Sequence, residues 1–222
     1  MHPYIKPVSI RFYQEANAAK AAAAKAYLRN QFEFFGIATP ARRAICKEYM
    51  RSHLPEYHEL SQIIHELWEL PQREYQYFAV ELLAVFRKQW QENIIVLAEY
   101  LIIHKSWWDT VDHIASEITG PYFKQFPGQA KRITLKWNRS KNIWLQRSSI
   151  MFQKSYKKET DTEILSRYIL HVRDSKEFFI QKAIGWALRE YSKANEKWVK
   201  YFVKKNALPP LSKREALKRI DL

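Results

Sequence analysis

Ser106-Trp107-Trp108-Asp109-Thr110-Val111-Asp112-His113 recurs in register with Asn142-Ile143-Trp144-Leu145-Gln146-Arg147 and with Phe179-Ile180-Gln181-Lys182-Ala183-Ile184-Gly185-Trp186. In that register Asp112, Arg147 and Lys182 stand 35 residues apart, and the same slot one period earlier beyond Asp112 is Tyr77. Gln76, Gln146 and Gln181 fill the slot before it. A period of this length holds two helices, and stacked helix pairs set equivalent residues side by side. The pattern therefore predicts an all-α fold, an α-solenoid of HEAT-like repeats with a concave face, on which a carboxylate, a guanidinium and an ammonium line one groove. An irregular helical bundle is the alternative, and in it Asp112 and Arg147 need not meet.

Apolar spacing elsewhere agrees with helices. Phe78, Leu82 and Phe86 mark one helical stripe, and Val111, Ile114, Ala115 and Ile118 mark another. The clearest segments fall near 40–52, 56–69, 72–87, 91–103, 107–119, 142–155, 161–172, 176–192 and 195–205. Thr39-Pro40 reads as an N-cap and first helical residue, and Asp174 with Glu177 and Ser212 with Glu215 read as capping boxes. Pro71 and Pro127 punctuate between helices. Only four glycines leave little room for hairpins or phosphate-cradling loops, and no Rossmann or P-loop fingerprint occurs. One domain over 1–222 is expected.

Cys46 is the only cysteine, which excludes an intramolecular disulfide and a cysteine-rich zinc site. The histidines form no His-Glu-x-x-His pattern, so no metal and no cofactor is expected. No apolar run is long enough to span a bilayer, and the first residues lack the apolar core of a signal peptide. A cytoplasmic protein without a membrane partner fits. Charge is uneven along the chain: residues 1–119 hold 13 Lys and Arg against 14 Asp and Glu, whereas 120–222 hold 24 against 9, a net of +15. Such asymmetry suits a polyanion, because Lys and Arg contacts to phosphates release counterions.

Several residues have the character of site groups. Asp112 follows Trp108 by one helical turn and flanks an apolar stripe, an awkward place for a carboxylate whose only task is solubility. Arg147 shares a side of its helix with Ile143 and Ile150. It suits either a structural ion pair to Asp112 across adjacent helices or a planar clamp on a phosphate. Trp186 follows Lys182 by one turn, and aromatics interleaved with cations suit nucleic acid.

These residues resemble the AlkD-type alkylpurine DNA glycosylases, DNA alkylation repair enzymes built of HEAT-like repeats. The resemblance spans essentially the whole chain. It is carried by Phe34-Phe35-Gly36-Ile37-Ala38-Thr39-Pro40-Ala41-Arg42-Arg43, by Lys105 to Asp112, by Asn142 to Arg147, by Ser175 to Trp186 and by Leu211-Ser212-Lys213-Arg214-Glu215-Ala216. It implies that Asp112 is the catalytic carboxylate, Arg147 an active-site arginine, and Trp108 and Trp186 groove tryptophans whose faces pack on the deoxyribose. Tyr27, Thr39, Arg43, Lys182, Lys213 and Arg214 are then expected to contact DNA, although Ala38 and Ala41 stand where relatives often carry larger polar residues. The implied reaction is hydrolysis of the N-glycosidic bond of cationic N3- or N7-alkylated purines in duplex DNA by a protein acting as a monomer. The alternative is a noncatalytic solenoid that binds nucleic acid, RNA included, or an acidic protein.

Overall fold

A computed structural model describes residues 1–220. They form two compact units, Met1–Trp90 and Gln91–Leu222, the latter described to Ile220. Both are helical, and among the described residues no strand forms beyond a single bridge between Glu33 and Gln72. The all-α helical-repeat class read from the 35-residue period holds.

The first unit contains α1 (Ile5–Gln14), α2 (Ala18–Tyr27), α3 (Thr39–Ser52), α4 (Leu60–Glu69) and α5 (Arg73–Val85). Its core gathers Ile5, Val8, Phe12, Ile63, Leu67, Phe78 and Leu82, all without exposure to solvent. Helix α3 begins at Thr39, one residue before the expected start, and no side chain caps it, while Pro40 occupies the first turn as expected. Gln76, one of the repeated glutamines, donates its amide to the carbonyls of Leu67, Trp68 and Leu70 at 3.1, 3.0 and 2.9 Å, satisfying the end of α4. Cys46 is buried within this unit, and burial pushes its thiol up to about 12.

The second unit is a two-row stack. One row consists of α7 (Trp108–Ile114), α10 (Ile143–Met151), α12 (Phe178–Ser192) and α14 (Pro210–Leu217). The other contains α6 (Ile94–Ile103), α9 (Pro127–Asn138), α11 (Thr162–Val172) and α13 (Glu196–Lys205), with the short α8 (Gly120–Gln125) between α7 and α9. Bonds about one repeat apart join neighbours along both rows. In the first, Asp112 meets Arg147 and Lys182 meets Glu215. In the second, the Trp137 indole donates to Glu99 at 2.9 Å and Thr134 shares a 2.8 Å hydroxyl bond with Tyr168. Buried Ile150, Ile169, Ile180, Ile184, Leu188, Val199 and Phe202 fill the space between the rows.

Three local expectations need correction. The helix read over 107–119 does not stop at Thr119: its residues Ala115–Thr119 widen into a π-turn that leads into α8. Pro121 explains the widening, since it has no N–H to continue the α-helical ladder and its ring crowds the preceding turn. Asp174 does not cap α12; it lies beside Arg173, and the hydroxyl of Ser175 accepts the Glu177 N–H instead. Ser212 and Glu215 form no capping box either, because α14 starts earlier, at Pro210, and both side chains turn toward α12.

That contact between α12 and α14 depends on Gly185. A β-carbon there would lie 2.4 Å from Cβ of Glu215 and 2.9 Å from the Ser212 carbonyl oxygen, so only glycine lets the helices approach this closely. Gly185→Ala is expected to destabilise the protein by about 1–3 kcal/mol through overpacking. Urea unfolding checks it, and an unchanged midpoint would mean that the two helices separate freely.

Candidate functional site

Asp112 and Arg147 occupy equivalent positions, the fifth residue of α7 and of α10, so stacking of those helices brings their side chains together. Arg147 Nε donates to Oδ1 of Asp112 at 2.7 Å and Nη2 donates to Oδ2 at 2.8 Å, a planar two-pronged bond. The third nitrogen, Nη1, donates to the backbone carbonyl of Phe179 at 2.5 Å on α12. Asp112 is 7% exposed and Arg147 3%. Of the five N–H groups of a guanidinium, this geometry commits three and leaves two.

An aromatic cluster holds the Phe179 carbonyl in place. Phe179 packs on Trp107 at 5.1 Å and on Trp144 at 5.0 Å between ring centroids, and Trp107 meets Trp144 at 5.7 Å. These rings sit at the N-terminal ends of α7, α10 and α12, beside the charge pair rather than between its members. Trp108 opens α7 one turn before Asp112 and is partly buried.

Lys182 holds the same slot of α12 but does not join the Asp112–Arg147 pair. It turns to the next helix of its row, where Nζ donates to Oε1 of Glu215 at 2.8 Å. Arg189, two turns further along α12, donates from Nη1 to the other oxygen of Glu215 at 2.9 Å. The hydrogen bond from Lys182 holds the Glu215 carboxyl below the usual carboxylate range, against the opposing effect of burial. The row thus consists of charge pairs, Asp112 with Arg147 and Lys182 with Glu215.

Trp186 has cations on its ring. Lys154 Nζ lies 4.9 Å and Arg189 Cζ 5.4 Å from the ring centroid. A ring so engaged has less of its negative face to offer a further positive charge.

In the first unit, Tyr27 ends α2 with 71% of its surface exposed, and Thr39 is exposed at the start of α3. Arg43 is exposed on the same helix, its Nε 3.5 Å from Glu81. Arg42 beside it is buried and bonds both oxygens of Glu81 at 2.9 and 2.8 Å, with its guanidinium 5.2 Å from the Tyr77 ring centre. Arg42 precedes Tyr77 by 35 residues, so the repeat slot reaches back into α3, a signal present in the spacing although the sequence expectations did not include it. In the second unit Lys213 and Arg214 are exposed on α14. Among the described residues no cluster of histidine, cysteine and carboxylates is arranged to hold a metal. Among the described residues no helix is long and apolar enough to cross a membrane.

Residues 8–220 match the family model described as DNA alkylation repair enzyme. A solved structure described as "Predicted DNA alkylation repair enzyme from Enterococcus faecalis" is 33% identical, with a TM-score of 0.86 over 93% of this chain and 97% of that one. AlkD2 from Streptococcus mutans superposes with a TM-score of 0.63 at 18% identity, over 83% of this chain and 91% of its own. The protein smu.31 from Streptococcus mutans UA159 does so with 0.61 at 19% identity, over 81% and 92%. At those lower identities the likeness is one of fold. No curated protein matches the chain.

Two outcomes are expected for the paired charges. Arg147→Met leaves the Asp112 carboxylate buried without its partner and is expected to cost about 3–5 kcal/mol, whereas Asp112→Asn/Arg147→Met costs less than the two single changes added together. Additive unfolding energies would mean that the pair does not form. For Glu215, whose folded pKa is depressed, the stability it contributes is complete above its ordinary value of 4.5 and is lost as pH falls through the lower folded value. The stability gap between wild type and Glu215→Gln is therefore expected to be open at pH 7 and to close under acid, and a gap independent of pH would refute the linkage.

Proposed function

The chain belongs to the DNA alkylation repair enzyme family, and we propose that it hydrolyses the N-glycosidic bond of cationic N3- or N7-alkylated purines in duplex DNA. One observation carries this reading: a carboxylate at a repeat-equivalent position, aimed by a guanidinium through both of its oxygens. Alkylation at N3 or N7 places positive charge on the base, so the base departs without being protonated. What remains for the protein is the charge that develops on the sugar. As the glycosidic bond breaks the deoxyribose takes on oxocarbenium character, and a fixed carboxylate stabilises it and orients or deprotonates the attacking water.

Asp112 has that role in our reading. Arg147 sets the direction of the carboxylate, and any phosphate it holds uses its two uncommitted N–H groups. Trp108, one turn from Asp112, offers its face to the sugar. Trp186, whose ring already has Lys154 and Arg189 beside it, serves the phosphate backbone better than the developing cation. Tyr27, Thr39, Arg43, Lys182, Lys213 and Arg214 supply contacts to the duplex, those of Lys182 in competition with its bond to Glu215.

Removing one electrostatic stabiliser of this kind costs on the order of 10²–10³ in rate. With purine-methylated duplex DNA, wild type is expected to release free methylpurine, and Asp112→Asn to lose most of that release while still binding DNA. A neutral lesion such as uracil is expected to be excised poorly by both, since its departure needs a general acid. Tight DNA binding without base release by wild type would replace this reading with that of a noncatalytic scaffold.

A further inference from the structure

A cleft of about 750 Å³ opens in the second unit between the segment that follows α10 and the C-terminal end of α12. Lys154, Lys157 and Lys158 line one side of it, and Glu190 and Lys193 the other. The excision chemistry proposed above uses none of these groups.

The charges in this cleft do not cancel. Glu190 is taken by Lys193, and Glu159 is bonded by Lys124 from α8 at 3.0 Å. Lys154, Lys157 and Lys158 meet no carboxylate among the described residues, and Lys157 and Lys158 are exposed. With Lys154 over the Trp186 ring and Lys157 and Lys158 exposed beside it in sequence, this wall of the cleft carries a surplus of positive charge that suits an anion. The backbone fixes where these lysines stand. Lys157 has φ of +54°, in the left-handed region that a side chain other than glycine, asparagine or aspartate rarely adopts. The segment is also anchored: the Tyr156 hydroxyl donates to the Gly120 carbonyl at 2.7 Å, so the lysines project from a fixed base.

Lys154 links the cleft to the candidate site. It lines the cleft while its ammonium lies over the Trp186 ring, so anion contacts in the cleft continue from those around Trp186. No arginine fork lines the cleft, and flexible ammonium groups on an open wall suit the spread-out charge of a polymer rather than one tightly seated small anion.

We infer that this cleft binds phosphodiester groups of a nucleic-acid backbone, as a subsite separate from the Asp112–Arg147 pair. The inference rests on nucleic acid being the ligand of the proposed function, but not on base excision. It is tested by measuring the affinity of the full chain for unmodified duplex DNA across a salt series. Wild type is compared with Lys157→Ala/Lys158→Ala and with Lys204→Ala/Lys205→Ala, which removes the same charge from exposed positions on α13.

The cleft variant is expected to lower the slope of log affinity against log salt by about 2, one for each phosphate no longer neutralised, and the α13 variant by clearly less. An unchanged slope in the cleft variant, or an equal fall in both, overturns the assignment, the second because net charge alone would then explain it. Matching circular dichroism and thermal unfolding of the variants keep the comparison free of folding effects. Base release enters none of these measurements, so absence of excision would sink the proposed function and leave this test intact.

Discussion

One guanidinium ties together three helices of the second unit. Arg147 projects from α10, grips the Asp112 carboxylate on α7 with two nitrogens and reaches the Phe179 carbonyl on α12 with the third. Burying such a pair brings little net stability, since taking both ions out of water costs about what their attraction returns. What the pair imposes is register. Two parallel N–H to oxygen bonds in one plane tolerate little rotation or sliding of α7 against α10, so the helices that make up the row are set by electrostatics as well as by the apolar residues behind them.

The same logic runs on toward the C-terminus in different chemistry. Lys182 and Arg189 on α12 share Glu215 on α14, and Gly185 between them lets the two helices come close enough for that bond. Arg189 then lies beside Trp186, with Lys154 also on the ring. The second unit therefore presents an inward-held carboxylate at one place and an aromatic rimmed by cations at another. In the reaction proposed above they would meet the two kinds of charge in a nucleotide whose base is leaving: positive on the sugar, negative on the phosphate.

The repeat, the helical class and the meeting of Asp112 with Arg147 were legible in the spacing, because equal intervals translate directly into adjacent helices. The ends of elements were less so. Ser212 and Glu215 have the sequence of a capping box, yet in a helix that starts at Pro210 they are the third and sixth residues, not the cap and its partner, and both turn toward a neighbour. Glu215 as partner of Lys182 depends on which faces of α12 and α14 approach, and that is decided at Gly185 by the absence of a side chain, whereas Lys154 reaches the Trp186 ring from the segment after α10. Arg42 was within reach of the spacing, one period before Tyr77, but a lone arginine next to another arginine gives no sign of which of the two is buried.

Cys46 is buried in the first unit with its thiol pushed up to about 12, chiefly by the surrounding apolar core. At neutral pH the group at this position is therefore held as the unreactive thiol rather than the thiolate. Electrophiles that methylate purines attack thiolates readily, and a protein of alkylation repair works where such reagents are present. The chain's strongest soft nucleophile is thus kept both out of reach and in its unreactive form, by the same packing that builds the core around it.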